Sequence, residues 1–247
     1  VTVSAAGSRV DRQPAFVLHR RAWRETSLLL DLLTRDFGRI GVIARGARGG
    51  RRGSGASCQP FQPLLVSWSG RADLKTLSAA EAVAPAPAIA GERLYTALYV
   101  NELLIRLLMQ HDAHSALFDA YAALLPGIAS AEDLEPLLRR FELLLLRELG
   151  YGMEFVHDSS TGQALEPAGQ YLLSHDGGFH AAPASADPRT YPGRVLAQIG
   201  REDFSGPETR RYAKRLMREA LAQLLGARPL HSRGYFRARH APPADAI

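Results

Sequence analysis

Arginines set among glycines are the first residues in this sequence with a chemistry to offer. Arg45, Arg48, Arg51 and Arg52 lie on or beside the glycines of GARGGRRGSGAS (46–57), which leave the backbone pliable and close to solvent. A guanidinium presents a planar fork of N–H donors that matches phosphate oxygens, so such a loop can follow the irregular backbone of a single nucleic-acid strand. The other reading of the loop is a solvated surface whose charge serves solubility. Arg20, Arg21, Arg24, Arg35, Arg39, Arg71 and Lys75 fall in the strands and turns around it and favour phosphate contact. Trp23, Phe37 and Trp68 add ring faces of the kind on which single-strand binders stack bases, although burial in a core would use each ring equally well.

A second basic feature is helical. Arg211, Lys214, Arg215 and Arg218 recur at spacings of three and four and so share one face, with Leu216, Met217, Ala220, Leu221, Leu224 and Leu225 supplying an apolar one. A second phosphate-binding surface and an ordinary charged outer helix face both fit. Arg228, Arg233, Arg237 and Arg239 carry the basic character onward.

Catalytic arrangements are thin. GARGGRR lacks the GK[ST] that holds nucleotide phosphates and magnesium, GxGxxG is absent, and Ser54 in RGSGA does not have the glycine spacing of a nucleophile elbow. The pairs His111/His114 and His175/His180 have no third convergent ligand. Glu132, Asp133 and Glu135 suit the positive end of a helix better than a metal. A single cysteine, Cys58, excludes an internal disulfide and any zinc knuckle of paired cysteines. The expectation is a protein that is no enzyme, with no metal and no cofactor.

Charge is unevenly distributed. Residues 1–90 carry 13 basic and 6 acidic residues, residues 91–200 carry 7 and 14, and residues 201–247 carry 10 and 5, which places polyanion contact at particular surfaces near the two ends. No stretch approaches the length of a membrane helix, and VTVSAAGSRVDRQP holds no apolar core of signal-peptide length, so a cytoplasmic location is expected.

The elements that must position these residues change type along the chain. AFVLHR (15–20), TSLLLDLL (26–33), RIGVIA (39–44), PLLVSW (63–68) and LKTLSAAEAV (74–83) read as five strands punctuated by Asp36-Phe37-Gly38 and Ser69-Gly70-Arg71. Five short strands suit a small closed barrel of the oligonucleotide/oligosaccharide-binding (OB) type, with an SH3-like barrel as the rival. After APAPAIAG (84–91) the period becomes helical: 92–110, then 115–125 ending at Pro126-Gly127, then a helix entered through Ser130-Ala131-Glu132-Asp133 and closed by Gly150. Residues 151–187 weaken into a hairpin and loops. Helices return at 188–200 and at 206–225, the latter with Ser205 and Glu208 spaced as a capping box. The whole reads as α+β: an OB-type barrel over 1–84, its residues 1–13 flexible, then a mainly α-helical domain over 85–247 with a small irregular insertion.

AFVLHRRAWRETSLLL, FGRIGVIARGARGGRR, PFQPLLV, LYTALYVNELL, RRFELLLLRELGYG and SRGYFR, in that order from Ala15 to Arg237, resemble the RecO family of bacterial recombination mediators. Many members hold a four-cysteine zinc site where this chain has its cysteine-free 151–187, so the resemblance is to the zinc-less branch. It implies an OB barrel followed by helices, and a non-catalytic role in DNA repair through the RecFOR pathway, in a cytoplasmic, nucleoid-associated setting. The implied activities are binding of single- and double-stranded DNA, annealing of complementary strands coated with single-strand-binding protein, and, together with RecR, helping RecA to load. The resemblance also implies binding of the acidic, apolar C-terminal tail of the coating protein. The third helix offers Leu137, Arg139, Arg140, Phe141 and Leu144 for that tail, with Arg140 as the cation for its carboxylate. An arginine on so apolar a helix could instead satisfy an internal carboxylate near Glu142 or at Glu102. The alternative function is an adaptor that docks acidic peptide tails, with DNA binding secondary.

Overall fold

The computed structural model describes residues 3–4, 9–48, 55, 57–174, 176–182 and 187–232. Contacts divide the chain into two compact units, one built on Val1–Ser130 with the segment from Pro229, the other on Ala131–Arg228.

Alternation of apolar residues builds the first unit. In β3 (Ser27–Thr34), β4 (Gly38–Ala44) and β5 (Leu64–Ser69), the inward residues Leu30, Leu32, Ile40, Val42, Ala44, Leu64, Val66 and Trp68 recur with the two-residue period of a strand and form one core. β2 (Arg9–Trp23) pairs antiparallel with β3 and also with β5, β4 runs parallel to β6 (Leu74–Ala82), and β6 returns against β5, so the five strands close. A short β1 (Val3–Ser4) pairs with β2. This is the OB-type barrel and the α+β class that the strand spacing predicts. Cys58 is a fully buried packing residue of the same core, and that burial pushes its thiol up to about 11 despite nearby Arg20.

α1 (Glu92–Leu107) and α2 (Ser115–Ser130) cover one outer face of this barrel. Phe16 of β2 packs against Phe118 at 5.4 Å and Tyr121 at 5.1 Å. The β2–β3 register slips between Val17 and His19, a bulge that leaves the Leu18 carbonyl out of the ladder. Asn101 of α1 donates to that carbonyl at 2.9 Å and accepts from the Tyr121 hydroxyl at 2.6 Å. α2 passes through Pro126 instead of stopping there. Buried Ile128 anchors its last turn, and the carbonyl of Ile128 accepts from Arg93 at 2.6 Å. The returning segment is clamped to α1: Glu102 accepts from the His231 and Ser232 amides at 2.7 and 2.8 Å and from the Ser232 hydroxyl at 2.7 Å. Burial alone would raise the Glu102 carboxyl, but these donors hold it below the usual range.

The second unit holds α3 (Glu135–Glu148), a small sheet in the order β8 (Phe179–Ala181), β7 (Gln170–Leu173), β9 (Tyr191–Pro192), then α4 (Gly193–Gly200) and α5 (Pro207–Leu225). Two caps differ from the sequence reading because stronger local partners take the side chains. Ser130 ends α2 and donates to the Pro126 carbonyl, while Asp133 accepts from the Glu135 amide at the start of α3. Ser205 donates to Asp203, and Glu208 pairs with Arg194 at 2.9 Å, so no capping box forms at α5.

The expected hairpin in 151–187 is present as β7 and β8, and sequence reasoning missed the residue that organises the loop before it. Asp158 accepts from the Ser160 hydroxyl at 2.6 Å, from the Ser160 and Thr161 amides at 2.8 and 3.1 Å, and from the Ala181 amide at 2.7 Å. The Ser160 hydroxyl foremost, then the amides, hold its carboxyl far below the ordinary aspartate range against the opposing effect of burial. A depressed folded-state pKa contributes stability that is present above the unfolded-state value, near 4, and is lost as pH falls below it. Protection factors of the Ser160, Thr161 and Ala181 amides are therefore expected to drop together on acidification below about pH 4. Asp158→Asn should lower them already at neutral pH, and unchanged protection in that variant would remove Asp158 from this role.

Candidate nucleic-acid interface

The β2–β3 hairpin and the loop leaving β4 bring five of the sequence-predicted arginines to one end of the barrel. Arg20, Arg21 and Arg48 line one open groove with Ala22, Leu28, Ala47, Gly55 and Gln59. Trp23, Arg24 and Arg45 line a second groove with Glu25, Thr26, Ser27, Ile43 and Gly46. All five arginines are exposed, and among the described residues none has a carboxylate within ion-pair distance.

Local backbone geometry fixes this end. Arg24 turns the hairpin with a φ of 50°, a left-handed conformation costly for a side-chain-bearing residue. Its carbonyl accepts from the Arg48 guanidinium at 3.3 Å, while the Arg48 amide donates to the Thr26 carbonyl at 2.9 Å. Ala47 is buried in the barrel core, and a Cβ on Gly55 would stand 2.3 Å from the Ala47 carbonyl oxygen, so the loop closes at a narrow neck. Arg51 and Arg52 lie outside the described residues, as do His175, Arg233, Arg237 and Arg239.

The remaining barrel cations are placed differently. Arg35 is held bidentately by Asp119 at 2.9 and 2.8 Å, which raises the arginine and lowers the aspartate from their ordinary values. Arg39 pairs with Asp31 at 3.2 Å and donates to the Leu108 carbonyl. Arg71 and Lys75 lie at the β5–β6 turn and the start of β6, and line neither groove. Trp68 is buried with Phe37 edge-on at 5.3 Å.

On α5, Arg211, Lys214 and Arg218 are exposed, but Lys214 is drawn to Glu135 at 2.7 Å. Arg215 turns to structure: it stacks 4.1 Å from the Tyr191 ring and donates to the carbonyls of Pro188, Arg189 and Thr190. On α3, Leu137, Arg140 and Leu144 are partly or fully exposed at spacings of three and four, whereas Phe141 is buried and Arg139 is buried against Glu142 at 3.0 Å. Arg140 lies 3.6 Å from Glu202 and 5.8 Å from the Phe204 ring, so its internal partner is neither Glu142 nor Glu102.

No group of three or more His, Cys, Asp or Glu residues among those described could hold a metal ion, and no described helix is long and apolar enough to cross a membrane. Residues 9–86 match the family model described as recombination protein O, N terminal, and residues 90–234 the one described as recombination protein O, C terminal. The chain belongs to the RecO family of DNA repair and recombination proteins. It is 44% identical to the DNA repair protein RecO of Cellvibrio japonicus over 92% of this chain and 97% of that one. Its identity to the protein of the same name from Methylococcus capsulatus is 46%, over 93% and 94% of the two chains. For that of Yersinia pestis it is 45%, over 94% and 97%. RecO membership covers both the barrel with its arginine grooves and the helices that follow.

Proposed function

We propose that this chain is a recombination mediator without a catalytic centre of its own, which binds single- and double-stranded DNA and anneals complementary strands coated with single-strand-binding protein. The observation that carries the reading is the convergence of Arg20, Arg21, Arg24, Arg45 and Arg48 on one end of the barrel with no carboxylate paired to them among the described residues. Annealing requires that phosphate repulsion between two strands be neutralised while the bases remain free to pair, and exposed guanidinium groups in open grooves do this better than deep base-reading pockets. Arg71 and Lys75 elsewhere on the barrel are further phosphate contacts of the first unit, and Arg211, Lys214 and Arg218 on α5 are phosphate contacts of the second; Arg35 and Arg39 serve the fold of the one and Arg215 that of the other. The site of action is the cytoplasm, at the nucleoid.

The exposed row Leu137, Arg140 and Leu144 supports docking of the coating protein's acidic, apolar tail, with Arg139 and Phe141 holding the helix from its buried side. An apolar residue of the tail would lie on the leucines and its carboxylate on Arg140, in competition with Glu202. RecR is the partner with which the mediator then promotes RecA loading.

The experiment is the annealing rate of complementary oligonucleotides coated with the cognate single-strand-binding protein, full length or lacking its C-terminal tail. Acceleration with the full-length form alone is the expected result. Acceleration with both forms would remove the tail from the annealing step, and no acceleration with either would favour an adaptor that docks tails and leaves DNA to its partners.

A further inference from the structure

Of the barrel's aromatic residues, Trp23 alone is left over. Phe16 is spent on Phe118 and Tyr121, Phe37 on Trp68, Phe61 is buried, and Trp68 is in the core. Trp23 is half-buried at the last position of β2, makes no ring contact among the described residues, and lines the same groove as Arg24 and Arg45. The neighbouring groove is lined by three arginines and no aromatic residue. Two surfaces of different chemistry therefore lie along one end of the barrel: one whose charged residues are all arginines, and one that pairs an indole with two arginines beside Glu25.

We infer that Trp23 stacks an unpaired nucleobase while Arg21, Arg24 and Arg45 hold the flanking phosphates, which makes this end of the barrel a single-strand site in preference to a duplex site. This rests on the DNA-binding reading above and adds its base-contacting residue. An indole offers a flat face to any base, so the contact is tolerant of sequence, as annealing of arbitrary strands requires. In a duplex the base faces are already stacked on one another, so the indole finds no face to cover and only the phosphate contacts remain. The site is also organised in advance. The left-handed turn at Arg24 follows Trp23 directly, and its carbonyl is held by Arg48, so the hairpin tip keeps its shape without the ligand. Local strain of this kind persists where the surroundings over-determine the backbone, and binding then costs less ordering.

The chain has two tryptophans, and Trp68 is 2% exposed, so changes in indole emission on binding report Trp23. The test titrates the full chain with a thymidine oligonucleotide, an abasic oligonucleotide of the same length and charge, and a duplex, at one ionic strength, for the parent, Trp23→Ala and Trp23→Phe. Expected is emission quenching by the thymidine strand and by neither of the others. Trp23→Ala should bind that strand roughly ten-fold more weakly and the abasic strand as the parent does, with Trp23→Phe close to the parent. Equal binding of both strands by parent and Trp23→Ala would overturn the stacking while leaving the cationic grooves as the DNA site. If the parent bound none of the three, the DNA-binding reading itself would fall and this inference with it.

Discussion

Replacing Arg21, Arg45 and Arg48 together by alanine is expected to weaken binding of a single strand by on the order of 100-fold at low salt and to flatten its salt dependence. Each phosphate contact releases condensed counterions, with a slope of log affinity against log salt of about 0.7 per contact on a single strand, so three lost contacts reduce the slope by about 2. The slope is the decisive quantity. A general loss of folded protein lowers the apparent affinity at every salt concentration and leaves the slope where it was. Arg35 and Arg39 supply the control: each is already engaged by carboxylates, so Arg35→Ala should leave the slope within error of the parent. An unchanged slope in the triple variant would take the grooves out of DNA binding. The three side chains are exposed and the Arg48 amide keeps its bond to Thr26 whatever its side chain, so the variant is expected to fold.

The barrel was legible in the sequence because a strand buried on one face writes its pattern with a period of two, and Leu30, Leu32, Ile40, Val42, Leu64 and Val66 all obey it. Helical stripes were equally legible, since Leu117, Tyr121, Leu124, Leu125 and Ile128 keep their spacing on both sides of Pro126. Apolar burial outweighed the proline as a stop signal there. Caps were misread at α3 and α5, because a serine hydroxyl or a glutamate takes whichever partner stands nearest in space, and Arg194 is 14 residues from Glu208 in sequence, beyond the reach of a local capping pattern. The same limit applies to charge. Spacing places Arg211, Lys214, Arg215 and Arg218 on one helix, but it carries no sign that Glu135 meets Lys214 or that Arg215 closes three carbonyls of a distant loop. Nor does any local pattern separate Trp23 from Trp68. The β2 bulge decides how the neighbours of Trp23 are turned, and a bulge leaves little trace in composition.

That bulge makes Asn101 the position at which a single substitution should do most damage to the fold and, through the fold, to the groove. Arg20 stands opposite core-facing Leu30 only because Leu18 is skipped in the β2–β3 register; Arg21 and Trp23 consequently fall on the other face, opposite Leu29 and Ser27. One residue of slippage would exchange the two sets. The Leu18 carbonyl released by the bulge is held by Asn101, which is 2% exposed, and the Tyr121 hydroxyl on the far side of the amide is fully buried. Burial drives the Tyr121 phenol well above its ordinary range, so it remains a neutral donor throughout the working pH range. Asn101→Ala takes the amide away from two buried groups at once and opens a small void, and the expected loss is about 2–5 kcal/mol of unfolding free energy. Tyr121→Phe removes one donor together with its own need for solvation and should cost only about 1–2 kcal/mol. Urea unfolding of the two variants checks the order, and equal costs would mean that the Leu18 carbonyl is not the group at stake. At temperatures where Asn101→Ala is still folded, its single-strand affinity should fall several-fold although Asn101 lines neither groove, because the register of β2 beyond the bulge is what aims Arg20, Arg21 and Trp23.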